Sequence, residues 1–406
     1  MMKPISISLS PNTETNDVSL AWTLLFQPWR WKKGEAIENL EYEFAEYVGR
    51  DVAVSFNSGR SALLAILASL GFQKGDEVLL QAFTCNAVPN PLLWQGLKPV
   101  YVDCKKEDYN MDARDLEQKV TSRSKAVMVQ HTFGIPADLD EIEEVCRKHN
   151  LTLIEDCAHA LGATYKGKPV GTFGKASFFS FSRDKVISSV YGGMAVTNDA
   201  VLAQKLREFQ RGAGHSSLFW IKQQLLHPLF MNWVILPTYS VFGKYFLVFL
   251  QVLHLLSRAV HWKEKQGKKP GYFPKALPNA LACLALRQLR KLERFNQHRK
   301  EIAGLYEREL GTQTQKEGSI FLRFPLQHER SHEIIKKAWQ QNLLIGDWYT
   351  SPIAPADTNL EKMGYAMGSC PVAERLAKTT LNLPTHIHIS KDTAKHIVDF
   401  LKPHAR

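Results

Sequence analysis

Lys185 lies in the stretch SFSRDKVISSVYGG, 29 positions after Asp156, which closes the apolar run of LTLIEDCAH. The lysine follows the apolar FFSF and precedes VISSVYGG, where a chain passing under a ligand buries it. A desolvated lysine has a lowered pKa and offers a neutral amine that bonds covalently to an aldehyde. A carboxylate at a strand end caps a helix or holds an ion pair. Opposite a pyridinium ring it keeps the ring nitrogen protonated and electron-withdrawing. Together the two residues meet the needs of pyridoxal phosphate, with Lys185 as covalent anchor and catalytic residue and Asp156 as partner of the ring nitrogen.

Three further positions suit the same ligand. SFNSGRSALLAIL reads as a strand, a small polar turn and a helix start, so Gly59, Arg60 and Ser61 offer backbone N–H groups at a helix N-terminus, where phosphate binds. Arg60 adds a charge-assisted contact to phosphate oxygens. Taken alone the segment reads equally as a Ser/Gly helix cap that binds nothing. Ser180, five positions before Lys185, brings a hydroxyl close to the phosphate, and His159, three after Asp156, packs near the ring oxygen.

The elements that must position these residues are legible as alternating periods. VAVSF, EVLLQAF, PVYVDC, KAVMVQH, LTLIEDC, KASFFSF and GGMAVT read as strands, and RSALLAILASLGF and DLDEIEEVCRKHN as helices. The alternation predicts an α/β fold with a mostly parallel sheet, and in such sheets ligands bind beyond the carboxyl ends of the strands. After Asn198 come a helix, LAQKLREFQRGAGH, and an apolar insert at about 218–262. ALACLALRQLRKLERFNQHRKEIAGLYEREL then reads as one helix, its leucines recurring every three or four residues. FLRFPLQ, LLIGDWY and LNLPTH as strands, with CPVAERLAKTT as a helix, make a smaller C-terminal α+β domain. The expected division is 1–279 and 280–406.

With 406 residues, 45% hydrophobic and 22% charged, the chain is long enough for a large domain and a smaller one, and ordinary in composition for a folded soluble protein. The net charge of +11 favours anionic partners, phosphorylated small molecules or an anionic membrane among them. The basic residues are scattered and match no nucleic-acid motif, so nucleic acid is not expected. Six cysteines without a CxxC pair read as free thiols in the cytoplasm and predict no metal site. MMKPISISLSPNTETNDVSL has no apolar core of the signal-peptide kind, so export is not expected.

From Gln223 to Gly243, and again from Tyr245 to Ser257, no Lys, Arg, Asp or Glu occurs. Pro228, Pro237 and Gly243 interrupt the run, which argues against a spanning helix. Two readings stand. One is a helical pair buried on the body or in a dimer contact. The other is a surface-lying apolar element beside the basic HWKEKQGKK, suited to peripheral contact with an anionic membrane.

Read in order, NSGRSALL, KGDEVLLQAFTCNAVPN, KPVYVDC, QHTFGIPADLDEI, LIEDCAHALGATYKGKPVGTFGKASFFSFSRDK and GGMAVTND resemble the DegT/DnrJ/EryC1/StrS family of pyridoxal phosphate-dependent sugar aminotransferases. GEAIENLEYEFAEYVGR and CPVAERLAKTTLNLPTH extend the resemblance to nearly the whole chain apart from the insert. It implies a fold type I transferase and a homodimer with active sites at the subunit interface. The implied substrates are a nucleotide-linked keto sugar and an amino-acid donor such as glutamate, for polysaccharide, lipopolysaccharide or glycosylated-metabolite biosynthesis. By motif, Lys185, Asp156, His159, Ser180, Arg60 and Ser61 fall on the family's cofactor-binding positions. Relatives with histidine in place of the lysine are dehydratases, a reading that Lys185 opposes.

The chain departs from the pattern at four places. Arg60 and Ser61 stand where SGTAAL is frequent. Cys85 stands where an aromatic residue stacks on the cofactor, leaving Phe83 or Phe133 for that role. Tyr191 replaces an acidic residue, and GYFPKALPN replaces GYNYR. These departures keep two alternatives in view: a membrane-peripheral member acting on a lipid-linked acceptor, and a scaffold that kept the fold without transamination.

Overall fold

In the computed structural model, which describes residues 4–312 and 316–404, seven strands form the central sheet. They are β1 (Val52–Phe56), β2 (Glu77–Gln81), β3 (Lys98–Val102), β4 (Ser124–Gln130), β5 (Thr152–Asp156), β6 (Ala176–Ser180) and β7 (Gly193–Thr197), laid side by side in the order β1-β7-β6-β5-β4-β2-β3. Only β7 runs against its neighbours.

Each strand feeds two apolar layers by the period of two. Val54, Val78, Leu80, Met128, Ile154, Phe178 and Ala195 enter one core. Their neighbours Ala53, Leu79, Val127, Leu153, Phe179, Met194 and Val196 enter the other. Helices cover both faces, as a parallel sheet requires.

The predicted helix after β1 is α1 (Gly59–Leu70), capped by the Ser58 hydroxyl, which accepts from the Ser61 N–H, and ended by Gly71 in a left-handed conformation. Its N-terminus presses against β7. A Cβ on Gly193 would lie 2.4 Å from the Gly59 nitrogen, and one on Gly59 would lie 3.1 Å from the Ser180 Cβ. The two glycines thus let the helix start, β6 and β7 meet at one point.

The apolar insert folds as a bent helical hairpin. α2 (Leu218–Phe230) continues as a π-type turn to Ile235, and a second segment from Tyr239 leads into α3 (Lys244–Val252). The two arms meet at 108°, and no single helix among the described residues is long and apolar enough to cross a membrane. One face of α2 is buried through Trp220, Ile221, Leu225 and Leu229, packing on the helix Thr15–Leu25. The outer surface leaves Trp233, Tyr245, Phe249 and Val252 more than half exposed.

The long helix expected after the insert is two. α4 (Asn279–Leu289) and α5 (Leu292–Leu310) are separated at Arg290–Lys291 because their apolar stripes face different partners. α4 packs on the helix Ala36–Val48 and α5 on the helix Lys391–Leu401. Ala280 is fully buried in the second of the two cores, which Leu289 and Leu292 on either side of the break also enter. Beyond α5, β8 (Arg323–Gln327) and β9 (Thr380–Pro384) pair antiparallel. The candidate strand LLIGDWY is ordered as strand only at Leu343–Leu344, which pairs with Ile5–Ser6.

Gly193→Ala forces a Cβ into the α1 backbone and should destabilise the protein by about 1–3 kcal/mol, the usual cost of overpacking. Urea denaturation monitored by circular dichroism checks this.

Candidate active site

Asp156 ends β5, Ser180 ends β6 and the Gly59 turn follows β1, so three strands deliver their carboxyl ends to one place. A cavity of about 290 Å³ opens there, lined among others by Gly59, Arg60, Asp156, His159, Ser180 and Lys185. Of the seven residues expected to anchor the cofactor, Ser61 is absent from the lining. The Ser61 side chain is fully buried and its hydroxyl donates to Asn57 Oδ1 at 2.7 Å.

Lys185 sits on a loop braced from below. Asn12 Nδ2 donates to the Lys185 carbonyl at 2.6 Å, and the fully buried Arg299 donates to the Val186 carbonyl at 2.9 Å and to Asn12 Oδ1 at 2.8 Å. Burial lowers the Lys185 pKa, opposed by the charges of Asp184 and Cys85. Burial also pushes the Asp156 carboxyl up to about 6, against the Ala158 N–H that donates to Oδ1 at 2.9 Å. Asp156 Oδ2 has no protein partner among the described residues.

His159 lines the cavity, with both ring nitrogens engaged by the protein. Its Nδ1 accepts from the Phe133 N–H at 3.3 Å, which puts the ring proton on Nε2, 3.3 Å from the Tyr349 hydroxyl oxygen. Burial, with Lys185 and Arg323 nearby, keeps the ring neutral. The group turned to the cavity is the Tyr349 hydroxyl, which accepts from His159 and retains its own proton to donate.

Nor do Phe83 and Phe133 supply a stacking surface. Both are fully buried, packed against Tyr109 and Tyr349 away from the cavity lining. The aromatic wall is Trp348, whose ring stacks on His159 with centroids 5.1 Å apart. Lys185 Nζ lies 4.5 Å from its centre, and the Arg323 guanidinium lies 3.2 Å from it while pairing with Asp184 at 3.1 Å. These residues arrive from the C-terminal part of the chain. Ile353–Ala354 pairs with Thr84–Cys85, and that short ladder carries the 347–350 loop over Lys185. The sequence holds a Trp-Tyr pair there but no spacing that links it to Lys185.

Arg60 also departs from its expected role. Its guanidinium pairs with Glu264 at 3.0 Å, donates to the Ala259 carbonyl at 3.0 Å and lies over the Phe273 ring. Burial lowers the Arg60 pKa, but Glu264 together with Tyr191, Cys85 and Tyr272 raises it overall. Arg183 likewise donates to the Ser257 carbonyl and hydroxyl, and the Tyr191 hydroxyl donates to the Arg258 carbonyl at 2.5 Å. The segment 257–264, directly after the apolar hairpin, is thereby strapped across the phosphate end of the cavity, where Ala259 and Val260 form one wall.

The residues fit pyridoxal phosphate. Ser58 takes the Ser61 and Ala62 N–H groups, leaving those of Gly59 and Arg60 without a partner among the described residues, next to the Ser180 and Ser182 hydroxyls. A Cβ at residue 59 would crowd the Ser180 Cβ at 3.1 Å, and the two N–H groups at this helix start suit a ligand oxygen. Asp156 with its free oxygen is placed for the ring nitrogen and Lys185 for the aldehyde carbon. A second buried trio, His131, Glu155 and Cys157, has ligand atoms within 4.8 Å of one another, but Glu155 already accepts from the Gly171, Phe173 and Gly174 N–H groups.

Comparison with known proteins bears on this geometry directly. The model of the DegT/DnrJ/EryC1/StrS aminotransferase family matches residues 14–225 and 248–402. The chain belongs to that family. The family model passes over 226–247, the bend and outer part of the hairpin. The chain is 40% identical to GDP-perosamine synthase of Escherichia coli O157:H7 over 193 residues, 47% of this chain and 53% of that protein, so the match spans about half the length of each. It is 28% identical to the spore coat polysaccharide biosynthesis protein SpsC of Bacillus subtilis over 394 residues, 91% of this chain and 90% of that one. Among solved structures, Helicobacter pylori PseC, an aminotransferase involved in the biosynthesis of pseudoaminic acid, is similar over 99% of both chains at a TM-score of 0.76 and 23% identity. Escherichia coli GDP-4-keto-6-deoxy-D-mannose-3-dehydratase with bound hydrated PLP has the same TM-score at 21% identity, covering 99% of this chain and 100% of that one. The fold type I reading is thus met, and the fold is shared by more than one chemistry.

A carboxyl whose folded pKa is raised favours its neutral form, so its contribution to stability is present at low pH. That contribution is lost as the pH rises from 3.8, the ordinary value, through about 6. In the cofactor-free protein, Asp156→Asn should remove this loss, so that the melting temperature at pH 6 relative to that at pH 4 is higher in the variant than in the wild type. A pH series of thermal melts on both proteins measures it.

Proposed function

We propose that the protein is a pyridoxal phosphate-dependent aminotransferase that moves an amino group from an amino acid, glutamate being the first to try, to a keto sugar carried on a nucleotide. The observation that carries the proposal is the placement of the Lys185 amine and the Asp156 carboxyl in one cavity at the carboxyl edge of the sheet, in a chain of this aminotransferase family. Sugar amination is what the names of the relatives describe, GDP-perosamine synthase and dTDP-3-amino-3,4,6-trideoxy-alpha-D-glucose transaminase among them.

The assigned roles follow from the local chemistry. When bound, the cofactor supplies an aldehyde and an electron-withdrawing ring. Lys185 would hold that aldehyde, and its lowered pKa makes a neutral amine accessible that can take up and return a proton at the substrate carbon. Asp156 pairs with the ring nitrogen. The Gly59 and Arg60 N–H groups, Ser180 and Ser182 hold the phosphate, while Arg60 acts at one remove by fixing the strap 257–264. Tyr349, oriented by His159, donates its hydroxyl proton into the cavity, and Trp348 shields the lysine from water. The surviving Lys185 supports catalysis over the scaffold alternative.

We further propose a homodimer at the cytoplasmic face of a membrane, with the hairpin resting on anionic lipid. The support is the exposed row Trp233, Tyr245, Phe249 and Val252 on a hairpin whose charged residues Lys222, Lys244 and Arg258 are all basic. All six cysteines are free thiols, which suits a reducing compartment.

Purified protein supplied with pyridoxal phosphate should show a visible absorption band that bleaches on addition of glutamate. Lys185→Ala should abolish the band and reduce turnover by about 10²-fold or more. A wild-type protein with no such band would overturn the assignment. In a second measurement, vesicles containing phosphatidylglycerol should carry the full-length protein upward in a density gradient, and Trp233→Glu combined with Phe249→Glu should leave it at the bottom. Sedimentation velocity reads the dimer.

A further inference from the structure

On the far side of the strap from Lys185 lies a second and larger cavity, of about 800 Å³, within the range of small-molecule sites. The strap residues divide between the two. Ala259 and Val260 face the catalytic cavity, while Ser257, Arg258 and His261 face the second. Its other walls come from the start of α2 and from the 271–275 turn.

The second cavity is built for negative charge. Arg258, Lys275, His215 and His261 line it, and no Asp or Glu does. The Arg258 guanidinium has no ion pair or hydrogen bond among the described residues, although the Arg258 carbonyl is held by Tyr191. Lys275 Nζ donates to the Ala213 carbonyl at 2.8 Å. His261 Nδ1 accepts from the Lys263 N–H, which leaves Nε2 for a ligand. Burial lowers the pKa of His215 and His261, and in both the remaining contributions are the neighbouring cations, Lys33, Lys32 and Lys275 for the first and Lys263 and Arg258 for the second.

A separate observation points to an absent ligand. Ser216 is 3% exposed, lines the cavity, and its hydroxyl has no hydrogen-bond partner. A buried hydroxyl left unpaired costs about 1–3 kcal/mol, so such groups are ordinarily satisfied. Ser216 also stands just before the N-terminus of the 13-residue helix α2, whose first-turn N–H groups and dipole favour an anion. Beside these polar groups the cavity is lined by the rings of Trp220, Trp262 and Tyr272.

We propose that this cavity is a second ligand site, for a phosphate ester that carries an aromatic or apolar group. Arg258, His261 and the start of α2 take the phosphate oxygens, Ser216 donates its hydroxyl, and the aromatic rings hold the attached group. Because Arg258 belongs to the strap, a ligand there bears on the wall that the strap gives to the catalytic cavity. A nucleoside diphosphate and a phospholipid headgroup share this chemistry.

Isothermal titration of the pyridoxal phosphate-loaded full chain with GDP, with inorganic pyrophosphate and with phosphatidylcholine vesicles containing phosphatidylglycerol tests the site. Arg258→Ala and Ser216→Ala run in parallel, and the visible cofactor band of each variant reports that it is folded. Binding of GDP or pyrophosphate that weakens about tenfold or more in Arg258→Ala, with a smaller loss in Ser216→Ala, supports the site with a soluble ligand. Binding of the vesicles alone, weakened by the same substitutions, supports it with a lipid headgroup. The proposal is overturned if no probe binds, or if GDP binds with equal affinity to wild type and both variants, which would place it in the catalytic cavity alone.

Discussion

A sheet covered on both faces has no room for polar side chains except at the ends of its strands. β5 shows the constraint at its strictest. Leu153 and Ile154 enter opposite cores, so the polar chemistry of this strand collects at its end, in Glu155 and Asp156. Glu155 is used up in fixing the 171–174 turn, and Asp156 alone faces the cavity. The same exclusion brings Ser180 and the Gly59 turn to that edge. Position and desolvation therefore have one cause, and desolvation gives Asp156 and Lys185 their shifted pKa values.

The catalytic cavity is closed by segments that lie far apart in the chain. The 347–350 loop comes from the C-terminal part of the chain and the strap 257–264 from the end of the hairpin, while Asn12 and Arg299 hold the Lys185 loop from beneath. Each attachment is polar and directional, unlike the apolar packing that joins the layers of the sheet. Arg60 is the hinge of the arrangement. Its charge is buried against Glu264, and removing either partner would strand the other in a medium of low polarity.

The fold was legible because a sheet of this kind writes a period of two into each strand and a helical period between them, and the seven strands expected before Asn198 all stand in the central sheet. Lys185, Asp156, Ser180 and Gly59 were legible for a related reason, since each sits where a periodic segment stops. Arg60 was misread because its partner lies 204 positions away, and nothing local distinguishes a guanidinium for phosphate from one for a carboxylate. Trp348 and Tyr349 escaped notice because a two-residue ladder to Thr84–Cys85 brings them to the site, too short a strand to leave a pattern. The division of one predicted helix into α4 and α5 was hidden because the junction Arg290–Lys291 lacks glycine and proline, and the break is imposed by the surfaces on either side.

The strap also bears on what the hairpin is. An apolar hairpin that were a mere appendage would be interchangeable with any loop of suitable length. Here its last turn runs directly into residues that wall the catalytic cavity and engage Arg60, Arg183 and Tyr191, three positions at or beside the cofactor site. Tyr191 and Arg60 are also two of the places where this chain departs from its family's usual sequence. In this chain the hairpin and the cavity wall are thus one mechanical unit, and a shift of the hairpin's last turn is felt at Arg60.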